Sequence, residues 1–136
     1  MVNTLRLEIV TPDATVYSGD VESVILQGVE GQLTLLPQHT SLITQLVPGE
    51  MVVRRAGRDE FLAVGEGLVE VTGKLVAIVT DMAVAAENID EAKVEEARQR
   101  AAARLREKLS SEEVAAVNAS LARSLVQLHV KRRPRK

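Results

Sequence analysis

The chain has 136 residues, 46% of them apolar and 26% charged, which is room for one ordinary domain or two small ones. It has no cysteine, so disulfides, thiolate metal sites and thiol catalysis are excluded, and with Tyr17 and Phe61 as its only aromatics the core must be built from Val, Leu, Ile and Ala. Residues 1–86 carry five basic against eleven acidic side chains and residues 87–136 twelve against eight, so the net −2 conceals an acidic front (−6) and a basic back (+4).

The front half reads as strands. Leu5, Leu7 and Ile9 alternate with Arg6 and Glu8, and Thr11-Pro12-Asp13 signals a turn. Further strands are expected at Val21–Leu26, ended by Gly28, and at Gln32–Leu36, ended by Pro37. Pro48-Gly49 is a strong turn dipeptide. Beyond it come Met51–Arg55, Glu60–Val64, Leu68–Val71, Leu75–Val79 and Met82–Ala85, punctuated by glycines. Short strands at this spacing argue for a β sandwich or barrel.

The pattern changes after Ala86. Asn88 is expected to cap a helix, with Glu91 at capping-box spacing, and the helix should run to Leu109. Ala97, Ala101, Leu105 and Leu109 form a narrow apolar stripe on it. Ser110 and Glu113 announce a second helix, with Val114, Val117, Leu121, Leu125 and Leu128 on one side and Pro134 as its stop. The short connection makes the two helices antiparallel neighbours. The expected architecture is therefore an antiparallel β sandwich over 1–86 followed by an antiparallel two-helix hairpin over 87–136. So thin a hairpin is marginal alone and must lean on the β domain or on a partner. An element with two docking surfaces is the raw material of a switch.

Catalytic constellations are missing. His39 and His129 fall in different units, so neither a triad nor a histidine metal site follows from the spacing. Gly65-Glu66-Gly67 lacks the helix and Lys-Ser/Thr of a phosphate loop, and Lys74 reads as an ordinary turn lysine. The Lys131–Lys136 tail is basic, but an acidic chain without stacking aromatics does not suit nucleic acid. No run of about 18 apolar residues exists to span a membrane. The start shows no signal peptide, which points to a cytosolic or cytosol-like compartment.

The segment Glu30-Gly31-Gln32-Leu33-Thr34-Leu35-Leu36-Pro37-Gln38-His39-Thr40-Ser41-Leu42 resembles the E-G-E-L-G-I-L-P-G-H-A-P-L segment of the epsilon subunits of F-type ATP synthases. Val10–Asp13, Val16–Gly19, Leu46–Gly49, Gly67–Val71 and Ile89–Ala92 continue the likeness in order along the chain. The resemblance implies a non-catalytic central-stalk subunit, with a β sandwich and a helical hairpin, that couples proton flow to ATP synthesis and restrains ATP hydrolysis. The implied partners are the gamma subunit, the ring of c subunits, and the alpha and beta subunits through the helices. Nucleic acid is not among them. The implied location is the cytoplasmic face of the bacterial inner membrane, held there through the complex alone. Stalk and c-ring contacts fall on Gln32, Leu33, Pro37 and His39. Contacts to an acidic segment of the beta subunit fall on Arg123, Lys131, Arg132, Arg133 and Arg135. The family's Glu, Gly and second Pro are replaced here by Gln32, Gln38 and Ser41. Some members hold ATP through I-D-x-x-R-A. Here Ile89 and Asp90 match, but Lys93 and Val94 replace Arg and Ala, with Arg100 as a further phosphate contact. Lysine cannot supply the arginine fork, so weak or absent ATP binding is expected, with no metal and no other cofactor. A stand-alone nucleotide sensor or an adaptor in another complex is the alternative.

Overall fold

The computed structural model describes residues 3–133. Ten strands precede two helices: β1 (Leu5–Val10), β2 (Thr15–Val21), β3 (Ser23–Gly28), β4 (Gly31–Leu35), β5 (Leu42–Leu46), β6 (Gly49–Arg55), β7 (Arg58–Val64), β8 (Gly67–Thr72), β9 (Leu75–Thr80) and β10 (Ala83–Ala85), then α1 (Glu91–Arg104) and α2 (Ser111–Arg132). The strands pair in the order β10-β7-β6-β3-β5-β8-β9-β1-β2, with β4 on β3. The Pro48 bend sends the chain from β5 into β6, and β3 pairs with both, so the sheet folds over into two layers. Val24, Leu26, Met51, Val53 and Val64 of one layer close on Leu7, Ile9, Val69 and Ile78 of the other, all fully buried. The β sandwich and hairpin expected from the sequence are both present. One pairing departs from the antiparallel expectation, since β1 and β9 run parallel.

Two strands escaped the periodic reading. β2 lies at the sheet edge and exposes most of its length, so hydrophobic alternation has nothing to mark. β5 follows the segment that ends at Pro37 and buries only Leu46 fully. At the closing seam Tyr17 of β2 lies under the Arg55 guanidinium, 5.5 Å from its ring centroid. Burial, and then Glu60, push the Tyr17 hydroxyl up, against the pull of Arg55.

The turn between β4 and β5 shows how one sequence departure is accommodated. The His39 N–H donates to the Leu36 carbonyl at 3.2 Å, which closes a four-residue turn with Pro37 second and Gln38 third. Gln38 has φ 66°, the left-handed conformation that a type II turn requires at its third position. A side chain there costs about 1–2 kcal/mol. Gln38→Gly is therefore expected to raise stability by about 1 kcal/mol, after the greater freedom of glycine in the unfolded chain is deducted. Urea titration of the two chains measures this, and an unchanged or lowered midpoint contradicts it.

Both helix expectations need correction at α1. Asn88 does not cap it. Ala86–Asn88 form a single 3-10 turn, Ile89 is extended and 4% exposed, and Asp90 is the cap, its carboxylate accepting from the Lys93 N–H at 3.2 Å. Burying Ile89 beneath the helices holds it out of helical geometry, and the helix starts at the next side chain able to cap. The other end stops at Arg104 instead of Leu109. The Arg106 N–H turns back to Ala103 and the Glu107 N–H to Arg104, so the last turn tightens with neither Gly nor Pro present. Leu105 is 39% exposed, and without an opposing surface helix propensity alone does not carry α1 further.

The start of α2 follows the sequence. Ser110 accepts from the Glu113 N–H at 3.2 Å while Glu113 accepts from the Ser110 N–H at 3.1 Å. These bonds hold the Glu113 carboxyl below the usual glutamate range. The buried face of α2 differs from the expected one. Val117 and Leu128 are buried, but Leu125 is 53% exposed, and Ser124 and Val130 are buried in its place. The reason is that α2 has two neighbours, α1 on one side and the sandwich on the other. Pro134 lies outside the described residues.

Candidate interaction surfaces

The sandwich has two outer faces, and they are treated differently. The face made by β6, β7 and β10 is covered by the C-terminal half of α2. There Ala63, Met82, Ile89 and Val130 form a second small core, backed by Phe61, Val84, Ala86, Val94 and Val126.

The opposite face is left uncovered by the helices and carries an apolar strip along one side, with Glu8 and Glu70 in the adjoining row. Registers align Gln45 of β5, Leu68 of β8, Val79 of β9 and the end of β1 at Val10 in one row across the sheet. Leu68 is 46% exposed and Val79 58%, while neighbouring Ile43 reaches 66%. Beside them a groove of about 450 Å³ runs between Val10, Pro12, Gly67 and Val79. Sequence reasoning missed this face. The available signal was Leu75-Val76-Ala77-Ile78-Val79, an unbroken apolar run where a strand wet on one side should alternate.

The residues expected to meet the stalk and the c ring lie along one hairpin without forming a cluster. Gln32 pairs with Gln27 near the β3–β4 turn and is exposed, and Leu33 packs against the main core. Pro37 and His39 sit past the far end of β4, roughly 16 Å from Gln32 at about 3.3 Å per residue. His39 Nδ1 is 2.7 Å from the Thr40 carbonyl oxygen, which can only accept, so Nδ1 carries the proton.

The residues expected at a nucleotide are likewise spread out. The Asp90 carboxylate is occupied as the α1 cap. Lys93 is exposed. Arg100 lines a groove of about 340 Å³ between α1 and α2, with Ala97, Ala101, Ala116 and Val117. Ten residues of helix, at about 1.5 Å each, set Arg100 roughly 15 Å from Asp90.

The basic residues assigned to an acidic partner have partners within the chain. Arg123 reaches Asp81 at 3.4 Å. Lys131 donates to the Ala86 carbonyl at 3.2 Å. Arg132 pairs with Glu91, and with Glu95 at 3.6 Å. Arg133 pairs with Glu50. Arg135 lies outside the described residues. Glu95 is also held by Arg98, whose hydrogen bonds are the main reason its carboxyl lies below the usual range. Charge composition could not reveal these internal partners, because it gives sign and not position. Among the described residues no group of three His, Asp or Glu is placed to hold a metal ion.

Residues 4–86 match the β-sandwich domain of the ATP synthase delta/epsilon chain, and residues 87–132 match its long α-helix domain. The chain belongs to the ATP synthase delta/epsilon chain family. Among curated relatives, the ATP synthase epsilon chain of Psychrobacter arcticus is 40% identical over 131 residues, covering 96% of this chain and 95% of that one. The epsilon chain of Janthinobacterium sp. is 38% identical over 130 residues, covering 94% and 93%. A chain of the Euglena gracilis mitochondrial ATP synthase shares the fold with a TM-score of 0.71 at 23% identity, over 88% of this chain and 76% of that chain. A chain of the Tetrahymena thermophila central stalk and c ring does so with a TM-score of 0.63 at 13% identity, over 93% and 95%. As an epsilon-type member, the chain is a non-catalytic subunit of the ATP synthase, a membrane-associated complex. No helix among its described residues is long and apolar enough to cross a membrane.

Proposed function

We propose that this chain is a rotor subunit that couples proton translocation to ATP synthesis. Its bare outer face seats on the gamma subunit, and its β3–β4 hairpin and the turn beyond, with Gln32, Leu33, Pro37 and His39, face the c ring. The observation that carries this reading is the asymmetry of the sandwich. One outer face is covered by the chain's own helix, and the other presents an apolar row that a subunit of a larger assembly would bury. In this reading the complex lies on the cytoplasmic face of the bacterial inner membrane and the chain reaches the membrane only through it.

The hairpin is the regulatory unit of this proposal. Undocked from the sandwich, it would offer Arg123, Lys131, Arg132, Arg133 and Arg135 to acidic surfaces of the alpha and beta subunits and so restrain hydrolysis. Opposite charge there fixes orientation and partner. ATP, if held by Asp90, Lys93 and Arg100, is held weakly, since the carboxylate is already used as a cap.

Truncation after Ser110 removes α2. The assembled enzyme is then expected to hydrolyse ATP at least about fivefold faster, the low end of an ordinary coupling free energy of about 1 kcal/mol. Co-purification of the truncated chain with gamma should persist, because the bare face lies on the other layer. Unchanged hydrolysis would remove restraint from the account and leave coupling alone.

A further inference from the structure

The row beside the apolar strip runs Ile43, Glu70, Ala77 and Glu8 across β5, β8, β9 and β1. Two carboxylates therefore stand in it with only the methyl group of Ala77 between them. Neighbouring strands lie about 4.8 Å apart, which sets the Glu8 and Glu70 backbones roughly 10 Å from each other. A gap of that width above a small side chain takes one cationic head and leaves it within reach of both carboxylates.

The chain supplies little counter-charge of its own here. Glu70 accepts from the Thr72 hydroxyl at 3.4 Å, and among the described residues no basic side chain pairs with it. Arg6 Nε lies 3.9 Å from Glu8, but the same guanidinium donates to Ser18 at 2.7 Å and faces Asp20 at 3.8 Å. In water this excess of negative charge is well tolerated. Apolar side chains bracket it, however: Leu68 and Val79 on one side, Leu75 on the other and Ile43 at the end of the row, all exposed. A partner that covers them strips water from Glu8 and Glu70 as well. A carboxylate desolvated without a cation opposes binding, whereas a paired one fixes register.

We infer that the gamma subunit places one basic side chain over Ala77, between Glu8 and Glu70, beside an apolar ridge that covers Leu68 and Val79. This rests on the reading that gamma seats on this face, and it adds the chemistry that orients the seat. Apolar contact supplies the area, and the cation fixes which way round the two proteins meet. Arginine suits the position best, because its fork can serve both carboxylates.

The test follows association and dissociation of the full chain with an assembly of alpha, beta and gamma subunits. Glu8→Gln with Glu70→Gln keeps the shape and removes the charge. It is expected to weaken binding at least about thirtyfold, chiefly through faster dissociation, because the cation of gamma is then buried unpaired. Glu70→Gln alone should account for the larger share, since Arg6 already lies beside Glu8. Ala77→Leu fills the gap with both charges kept and should weaken binding at least about tenfold. Glu96→Gln with Glu107→Gln removes the same charge from exposed positions of the hairpin and should bind nearly as the parent does. Binding of the Glu8 and Glu70 double variant as tight as the parent, or tighter, overturns the inference, since gamma then brings no cation to these acids. So does slower association with unchanged dissociation, the mark of steering at a distance without a seated pair. Full binding by Ala77→Leu also overturns it, because the gap is then empty in the complex. Failure of the underlying reading looks different: Leu68→Lys with Val79→Lys then keeps its hold on gamma, whereas a failed inference leaves that variant unbound and the glutamine double variant bound.

Discussion

Gly67→Ala should destabilise the β domain by about 3 kcal/mol or more, the upper end of the cost of overpacking a filled interior. A Cβ built on Gly67 would stand inside the van der Waals envelope of the Val79 carbonyl oxygen and 2.8 Å from the Thr80 Cα. Both are backbone atoms of β9, which pairs with β8 on one side and β1 on the other, so neither can move without disturbing two ladders. No rotamer relieves the clash. Gly67 does not have a positive φ, so backbone freedom is not what requires glycine here; the missing side chain is. Urea titration should show a midpoint well below that of the parent, with a similar slope. A midpoint within experimental scatter of the parent would show that β8 and β9 separate more easily than their register implies.

The second large effect concerns the bare face. Leu68→Lys and Val79→Lys together should abolish co-purification with the gamma subunit. Side chains near the centre of an interface commonly contribute about 2 kcal/mol each, so two charges in a dry contact weaken binding by roughly a thousandfold. Both side chains project into solvent in the free chain, so folding should be nearly unaffected; strand preference changes by at most about 1 kcal/mol. Thermal melting of the isolated double variant provides the control. A stably folded variant that still co-purifies with gamma would move the stalk contact elsewhere on the sandwich.

Elements whose side chains alternate between core and solvent were legible. Leu5, Leu7 and Ile9 gave away β1, and Ser110 with Glu113 gave away the start of α2, because local chemistry suffices for both. β2 was reached only through the family resemblance, since its exposed edge carries no period. The parallel pairing of β1 with β9 joins segments far apart in the chain, and no periodicity encodes it. The end of α1 was misplaced because a stripe of Ala and Leu states what could pack without stating how far the opposing surface extends. Of the candidate surfaces, the cations were found and their internal partners were not. Glu50 reads in sequence as one more acid after Pro48-Gly49, and its burial becomes visible only once α2 is laid across β6 and β7.

The connection between β10 and α1 sets the scale on which any release can operate. Residues 86–90 are all that joins the last strand to the first helix, a leash of roughly 17 Å even fully extended. A lifted hairpin stays near its own binding face, at an effective concentration in the millimolar range expected of short tethers. An acidic molecule at micromolar concentration in solution cannot compete with that local supply. A surface fixed in the same assembly can, because it is tethered too. On the proposed regulatory reading, the short connection would filter partners by attachment as well as by charge, so that the helix would respond to its own complex and not to the acidic solutes around it.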